Sequence, residues 1–231
     1  MSKNKDAYYD NRIVFKPWGH EYVVYRYKNI LSVTLLNIKP TKSTSLHCHP
    51  IKKTGFVLLD GKALIQLGLW KSERKIYESP SKLMIRTGLF HSIKCISKKP
   101  LLALEFETPI NKNDLVRFND KYGRERKPYE QGKKFTNLNK DKNFYKLYKF
   151  KEKTEYVFGK TIVKLEIHKN FKKLVSEKNN TIFAVLNGSV CSKKKQKILS
   201  PGDIIRTGTF KKLAKVFKID NKLTVLKINN E

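Results

Sequence analysis

The fold is indicated most directly by the stretch Phe56-Val57-Leu58-Leu59-Asp60-Gly61-Lys62-Ala63-Leu64-Ile65-Gln66-Leu67. Two apolar runs of strand length flank Asp60-Gly61, and Asp-Gly between hydrophobic runs is a strong short-range signal for a β-hairpin. The stretch therefore predicts two antiparallel strands joined by a tight turn.

Further strand signals lie on both sides of this stretch. Residues 30–38 are rich in branched apolar types and end at Lys39-Pro40, and the run Leu101 to Phe106 stops before Thr108-Pro109. Short strands with closely spaced turns, and no helical periodicity, are typical of an all-β sandwich or barrel.

Three segments recur in the same order in the second half of the chain. The matched pairs are Leu36–Lys39 with Leu165–His168, Phe56–Gly61 with Phe183–Gly188, and Ile85–Phe90 with Ile205–Phe210. The last pair is identical at five of six positions. The interval between the hairpin and motif glycines shortens in the second copy, which indicates a trimmed loop around residues 70–78.

The repeats predict two tandem β-domains, at residues 12–118 and 155–231. Between them, residues 119–154 are polar and rich in Lys and Asn, as in a linker, with a short helix expected around residues 143–149. The first copy contains the candidate site residues, and the second copy lacks most of them.

The formal net charge of +30 comes from 50 basic against 20 acidic residues. Arginine, which nucleic-acid recognition favours, is scarce beside lysine, and the lysines are spread along the chain. Two explanations stay open, a coding bias towards A/T-rich codons and a polyanion-binding surface, and only a clustered patch would favour the second. We expect no specific nucleic-acid partner.

Other composition features exclude further classes. A hydrophobic content of 39% is too high for a disordered polycation. No apolar run approaches the roughly 18 residues that a membrane helix needs, and no signal peptide is apparent at the N-terminus. The three cysteines form no metal-type pair, so we expect a cytoplasmic protein without membrane association.

Three of the five histidines fall in the repeated region of the first half. His47 and His49 are two residues apart, so on a strand both imidazoles share one face and Cys48 lies on the other. His91 follows Gly88 by three residues. Neutral imidazole is the commonest protein metal ligand, so these three histidines are the candidate metal ligands. The alternative is an exposed pair on a strand.

These residues resemble the cupins, small double-stranded β-helix barrels. His47-Cys48-His49 with Gly61 matches the spacing of the first cupin motif, and Thr87 to His91 approximates the second. Thr54 stands where the family usually has a glutamate ligand, and no proline precedes Gly88. The lost carboxylate removes one negative charge from the metal shell that the resemblance implies.

A narrower resemblance is to the cupin part of type II mannose-6-phosphate isomerases and mannose-1-phosphate guanylyltransferases. Three segments carry it, over about residues 15–125: Lys16-Pro17-Trp18-Gly19, Ser45 to His49, and Asp114 to Arg124. The resemblance implies a tandem double-stranded β-helix (a bicupin of jelly-roll barrels) and a homodimer. The second barrel is degenerate, because Lys211 replaces His91 and no His-x-His precedes Gly188.

The resemblance also implies a chemistry, aldose–ketose interconversion of a sugar phosphate through an enediol. His47, His49 and His91 would hold a divalent metal ion such as Zn, Mn, Fe, Co or Ni. The expected catalytic residues are Arg124 and Glu105, and the expected substrate-binding residues are Arg86 and Arg117. Two alternatives stay open, a structural ion pair of Arg124 with Asp120 or Glu130 and an exposed strand position for Glu105. Glu107 shares the face of Glu105, so both serve the site or neither does.

Three functional hypotheses follow. The first is a metal-dependent sugar-phosphate isomerase of the mannose-6-phosphate type. The second is a cupin that binds or modifies another sugar or a nucleotide sugar in polysaccharide synthesis. The third is a non-catalytic ligand-binding bicupin, which gains support from Thr54 and from the degenerate second half.

Overall fold

The computed structural model describes residues 9–125, 135–137 and 155–231. In its first part the strands are β1 Arg12–Lys16, β2 Gly19–Tyr27, β3 Leu31–Ile38, β4 Leu46–Cys48, β5 Lys53–Asp60, β6 Lys62–Leu67, β7 Arg74–Glu78, β8 Ser81–Ile85, β9 His91–Cys95, β10 Leu101–Thr108, β11 Val116–Asn119 and β12 Phe135–Asn137. A short 3₁₀ helix, Lys71–Glu73, precedes β7. The helix predicted around residues 143–149 lies outside the described residues.

The strands of this part form two antiparallel sheets. The first sheet has the order β12-β1-β2-β3-β10-β5-β8, and the second has the order β11-β4-β9-β6-β7. Buried side chains of both sheets, among them Leu36, Phe56, Ile65 and Ile93, pack into one core between them. Two antiparallel sheets around a shared core are the arrangement of a jelly roll, which confirms the all-β prediction.

The hairpin predicted at Phe56–Leu67 is wrong, although both of its strands are present. β5 pairs with β10 and β8 in the first sheet, whereas β6 pairs with β7 and β9 in the second. Gly61 has a φ of 94°, in the region that favours glycine. It turns the chain from one sheet into the other, a corner that a local sequence pattern does not distinguish from a hairpin turn.

The second part of the chain forms a third sheet. Its elements are β13 Glu155–Phe158, β14 Thr161–His168, α1 Lys172–Ser176, β15 Ile182–Cys191, β16 Lys197–Leu199, β17 Ile204–Arg206, α2 Thr207–Leu213 and β18 Lys218–Asn230. The strand order is β13-β14-β18-β15-β16, and β17 pairs with β15. The run β13-β14-β18-β15-β17 repeats β2-β3-β10-β5-β8 of the first sheet, so the tandem arrangement is confirmed.

Two of the three matched segments are out of register. Ile205, opposite Phe183, corresponds to Leu83 and not to Ile85, a shift of two residues that keeps the face of the strand. The shift of the first segment is of one residue. Thr34, Glu105 and Phe56 lie side by side across the first sheet, and Lys164, Lys227 and Phe183 lie side by side across the third. With Phe56 and Phe183 equivalent, Leu36 corresponds to Glu166, one residue beyond the match predicted from sequence. A slip of one residue exchanges the two faces of a strand, and both strands are apolar enough to hide it.

The third sheet packs on the first sheet through a second core. Val33, Leu35 and Leu104 of the first sheet meet Ala184 and Leu226 of the third in one buried cluster. Polar links border this contact, including Lys53 Nζ to Asp203 at 2.6 Å and Lys82 Nζ to the Ile204 carbonyl oxygen at 3.0 Å. The outer face of the first sheet is therefore covered within the same chain.

The other face of the third sheet is covered by helices. Leu174 of α1 and Phe210 of α2 pack on Phe183 and Val185 of β15. Val190 at the end of β15, Leu199 in β16 and Ile219 at the start of β18 pack in the same cluster. These three short paired segments are the reduced counterpart of the second sheet, as expected of a degenerate barrel. Within the described residues we find no helix long and apolar enough to cross a membrane.

Candidate metal centre and its cavity

The three candidate histidines lie together between the first and second sheets. His47 on β4 pairs directly with His91 on β9, and His49 follows the end of β4. Their ring centroids are 4.4 Å (His47–His91), 5.0 Å (His47–His49) and 5.4 Å (His49–His91) apart. One ligand nitrogen from each ring lies within 4.8 Å of the others, so the three can surround a single ion.

Backbone carbonyl groups fix the orientation of each ring. Nδ1 of His47 lies 2.9 Å from the Ser45 oxygen, Nδ1 of His49 lies 2.5 Å from the Asp114 oxygen, and Nδ1 of His91 lies 3.0 Å from the Leu89 oxygen. A carbonyl oxygen only accepts, so Nδ1 of each ring donates and Nε2 keeps its lone pair. Metal-binding histidines are commonly oriented in this way.

The Nε2 atoms of His49 and His91 are buried and meet no hydrogen-bond partner among the described residues. A buried polar atom without a partner is costly, and a bound ion is one way to satisfy it. Burial lowers the pKa of His49 to about 3 and that of His91 to about 4, and it holds the pKa of His47 well below its usual range. The rings are therefore neutral, which is the form that binds metal, and this donor set fits a divalent cation.

The position of the usual fourth ligand is closed. Thr54 is buried beside Glu107, its cross-strand partner on β10, and does not line the cavity. Lys52, two residues earlier, lines the cavity instead and lowers the pKa of all three histidines. The chain thus replaces a negative group beside the histidines with a neutral one and adds an ammonium group nearby.

Glu105 and Glu107 both face the cavity from β10, as their shared face predicts. Glu107 is held between two lysines, Lys52 on Oε1 and Lys112 on Oε2, the latter at 2.6 Å. These cations keep the pKa of Glu107 well below its usual range against the opposing effect of burial. Glu105 has no hydrogen bond or ion pair among the described groups, and burial next to Glu107 raises its pKa to about 8.

The predicted arginines fall into two groups. Arg124 and Arg117 line the cavity, whereas Arg86 is exposed and is not part of its lining. Two nitrogens of Arg124 lie 2.8 Å from the two carboxylate oxygens of Asp120, and the guanidinium group lies 5.2 Å from the Tyr122 ring centre. The ion pair with Asp120 and a place in the cavity, posed as alternatives from sequence, therefore occur together.

Sequence reasoning did not select four further charged residues that line the cavity, Lys16, Glu21, Lys52 and Lys112. Lys16 pairs with Glu21 at 3.5 Å, and both side chains are almost fully buried. Only Lys16 carried a signal, because it begins the Lys-Pro-Trp-Gly segment. That segment joins β1 to β2 and also places Trp18 in the cavity wall.

Comparison with known proteins places the first part of the chain in a family. Residues 3–120 match the family described as mannose-6-phosphate isomerase C-terminal. The chain is 27% identical over 124 residues to a mannose-1-phosphate guanylyltransferase of Salmonella montevideo, covering 53% of this chain and 26% of the relative. It is 28% identical over 116 residues to the xanthan biosynthesis protein XanB of Xanthomonas campestris pv. campestris, and this match covers 49% of this chain and 24% of the relative.

One similar solved structure is an uncharacterised protein with a double-stranded beta-helix domain from Klebsiella pneumoniae. The sequence identity is 16%, the TM-score is 0.39, and the match covers 43% of this chain and 79% of the other. The chain spans about a quarter of the length of the two curated relatives that it matches.

Proposed function

Because the chain belongs to the mannose-6-phosphate isomerase C-terminal family, we propose that it interconverts an aldose phosphate and a ketose phosphate. The observation that carries the proposal is the content of one cavity. Three neutral histidines, an unpaired carboxyl group of raised pKa and two arginines all line it. Proton transfer next to a carbonyl group needs this combination of charge stabilisation, base and phosphate ligand.

In this proposal His47, His49 and His91 hold a divalent cation, one of Zn, Mn, Fe, Co or Ni. The cation supplies Lewis-acid stabilisation of the negative charge that develops on the enediolate oxygens. Thr54 adds no charge to this centre, so three neutral nitrogens leave the cation with its full positive charge. We expect this to favour anionic oxygen ligands over water.

Glu105 is the proposed base. It removes the proton from the carbon next to the carbonyl group and returns it to the former carbonyl carbon, while the hydroxyl proton of the first carbon moves to the former carbonyl oxygen. A pKa of about 8 lets Glu105 accept a proton and release it again near neutral pH. Glu107 cannot take this role because Lys52 and Lys112 hold both of its oxygens.

Arg124 and Arg117 are the proposed phosphate ligands. A guanidinium group matches two phosphate oxygens, and the ion pair with Asp120 fixes the orientation of Arg124. We do not assign Arg86 to the cavity, because it is exposed and does not line it. The substrate class is a small-molecule sugar phosphate.

A second candidate function is binding or modification of another sugar or a nucleotide sugar in polysaccharide synthesis. It is favoured by the name of one relative, a xanthan biosynthesis protein, and by Thr54 at the usual ligand position. A non-catalytic role would also tolerate Thr54, but it would leave the unpaired Glu105 without a purpose.

For the organisation of the chain we propose two units, residues 12–118 and 155–231, joined by residues 119–154. We also propose a homodimer. Its interface would use a surface other than the outer face of the first sheet, because the third sheet covers that face.

A coupled assay tests the proposed reaction. Protein is stripped with a chelator, reloaded separately with Zn, Mn, Fe, Co or Ni, and supplied with mannose 6-phosphate or fructose 6-phosphate. We expect turnover in both directions with at least one ion and none with stripped protein. Absence of turnover with every ion would contradict the isomerase proposal, and binding of a sugar nucleotide without turnover would favour the second candidate.

A further inference from the structure

A groove lies on the outer face of the second sheet, on the opposite side from the histidine cavity. Side chains alternate along β4 and β9, so Leu46 and Ser92 face the groove while His47 and His91 face the cavity. The segment before β7, which contains Leu69, borders the groove on one side, and the segment after β11 borders it on the other.

In the part of the chain that the structure describes, four cationic side chains line this groove and no carboxylate does: Lys71, Arg74, Lys94 and Lys121. Among the described residues, no hydrogen bond or ion pair engages the ammonium group of any of the three lysines. Arg74 donates to the Gln66 side-chain oxygen at 2.9 Å, which holds the guanidinium group against the groove floor. The neighbouring Glu73 accepts from the Trp70 backbone N–H at 2.9 Å.

The rest of the groove combines apolar surface with hydroxyl and amide groups. Leu46 and Leu64 contribute aliphatic surface, and Phe118, with 57% of its surface exposed, supplies an aromatic ring. Ser43 and Ser92 add hydroxyl groups. An apolar floor with few placed polar groups is typical of a small-molecule site, here with a net positive charge.

We propose that this groove binds an acidic saccharide, with the sugar rings on Leu46, Leu64 and Phe118 and the acidic groups on the four cations. A sugar ring presents apolar C–H faces and hydroxyl edges, which match this floor and its serines. Carboxylate groups on successive sugars match cations placed around the groove. The clustered patch that would favour polyanion binding, left open by the composition, is therefore present in the fold.

The groove fits a saccharide better than a nucleic acid. Single-stranded nucleic acids bind to several stacking aromatic rings beside a cationic track. Over the described ranges, Phe118 is the one aromatic residue that lines this groove. Three of its four cations are lysines, which lack the planar fork that reads phosphates and base edges.

Calorimetric titration of the metal-loaded full chain with tetragalacturonate tests the proposal, with maltotetraose as the uncharged tetrasaccharide. We expect binding of the acidic saccharide only. The variant Lys71→Ala/Lys94→Ala/Lys121→Ala should weaken it about tenfold, since each exposed cation contributes a fraction of a kcal/mol. Lys71 and Lys121 are exposed, so Lys71→Ala/Lys121→Ala serves if the triple variant folds poorly.

The matched control is Lys193→Ala/Lys194→Ala/Lys197→Ala, which removes the same charge from exposed positions of the third-sheet region. It should bind as the unchanged chain does. No binding by the unchanged chain, an equal loss in the control, or equal binding of maltotetraose would each overturn the proposal. Tighter binding of an oligothymidylate that the groove variant abolishes would also overturn it and would identify a nucleic-acid site. Sugar-phosphate turnover of the groove variant reports separately on the cavity.

Discussion

The first and third sheets share one strand order but differ in what covers their inner faces. The inner face of the first sheet meets the second sheet, which carries the candidate metal ligands His47 and His91. The inner face of the third sheet meets α1 and α2. The repeated sheet is therefore a scaffold, and the candidate metal ligands on β4 and β9 have no counterpart on the face that α1 and α2 cover.

The equivalent positions on the two inner faces show the same difference. Lys227 lies where the first sheet has Glu105, and it pairs with Glu177 and lies 3.7 Å from Glu166. His168 Nε2 in turn lies 2.9 Å from Glu166. Charged groups of the third sheet are thus paired with one another, whereas the cavity keeps the Glu105 carboxyl and two histidine nitrogens without described partners.

Removing one of the three cavity histidines should have the largest effect on metal binding and on turnover. We expect His91→Ala to lose its metal and all detectable turnover, because loss of a supporting residue alone commonly costs 10–100-fold in metal affinity and loss of a ligand costs more. His168→Ala, the matched change in the third sheet, should keep both. Metal content by elemental analysis and the coupled assay are the measurements, and equal losses in both variants would refute the distinction between the sheets.

Glu105→Gln should lower kcat by about 10²–10⁴-fold, the usual contribution of a general base, and leave metal content unchanged. Turnover of the unchanged chain should rise with pH towards a limb at about 8, where Glu105 ionises. Glu166→Gln in the third sheet should have the activity and pH profile of the unchanged chain. A pH limb that persists in Glu105→Gln would exclude Glu105 as the base.

The sequence predicted the histidine cluster because its signals are local. His47 and His49 are two residues apart, as on one face of a strand, and His91 follows a turn segment that recurs in the second half. The sequence did not predict Lys52 or Lys112, since 42 lysines in the chain make no single one conspicuous. Arg86 was expected in the site because it lies in a repeated segment, yet it follows the end of β8 and is exposed. The sequence also did not predict that β5 and β6 belong to different sheets, because the strands with which they pair lie far from them in the chain.

The charged clusters of the two sheets should differ in their contribution to stability. Glu107→Gln leaves the buried Lys52 and Lys112 without their shared carboxylate, and breaking a buried pair typically costs about 3–5 kcal/mol of unfolding free energy. Glu177→Gln removes the partner of Lys227 from a more exposed pair and should cost about 1 kcal/mol or less. Denaturant unfolding of both variants checks this, and equal costs would contradict it.

A further difference between the sheets is the pH dependence of stability in metal-stripped protein. The pKa of His49 is lowered to about 3 and that of His91 to about 4, so below pH 6.5 the unfolded chain binds protons that the folded chain does not. Stability should therefore fall with decreasing pH by about 1.4 kcal/mol per pH unit for each such histidine, down to the folded pKa. His91→Asn should remove the share of one proton, about 1.4 kcal/mol per pH unit, from the slope of the unfolding free energy against pH.

This slope is best measured in the Glu105→Gln background, since the raised pKa of Glu105 gives a slope of opposite sign between pH 4.5 and about 8. In the third sheet, the hydrogen bond from His168 lowers the pKa of Glu166. The contribution of this hydrogen bond to the free energy of unfolding should be present above pH 4.5 and lost only below it. A His91→Asn slope identical to that of the parent would show that the cavity histidines are not held neutral.

Anomalous scattering from a crystal of the metal-loaded chain tests the central claim most directly, because it locates the ion without reference to activity. We predict one strong peak, contacted by Nε2 of His47, His49 and His91 between the first and second sheets. A peak beside His168 and Glu166 of the third sheet, or no peak at the three histidines of fully loaded protein, would contradict the account.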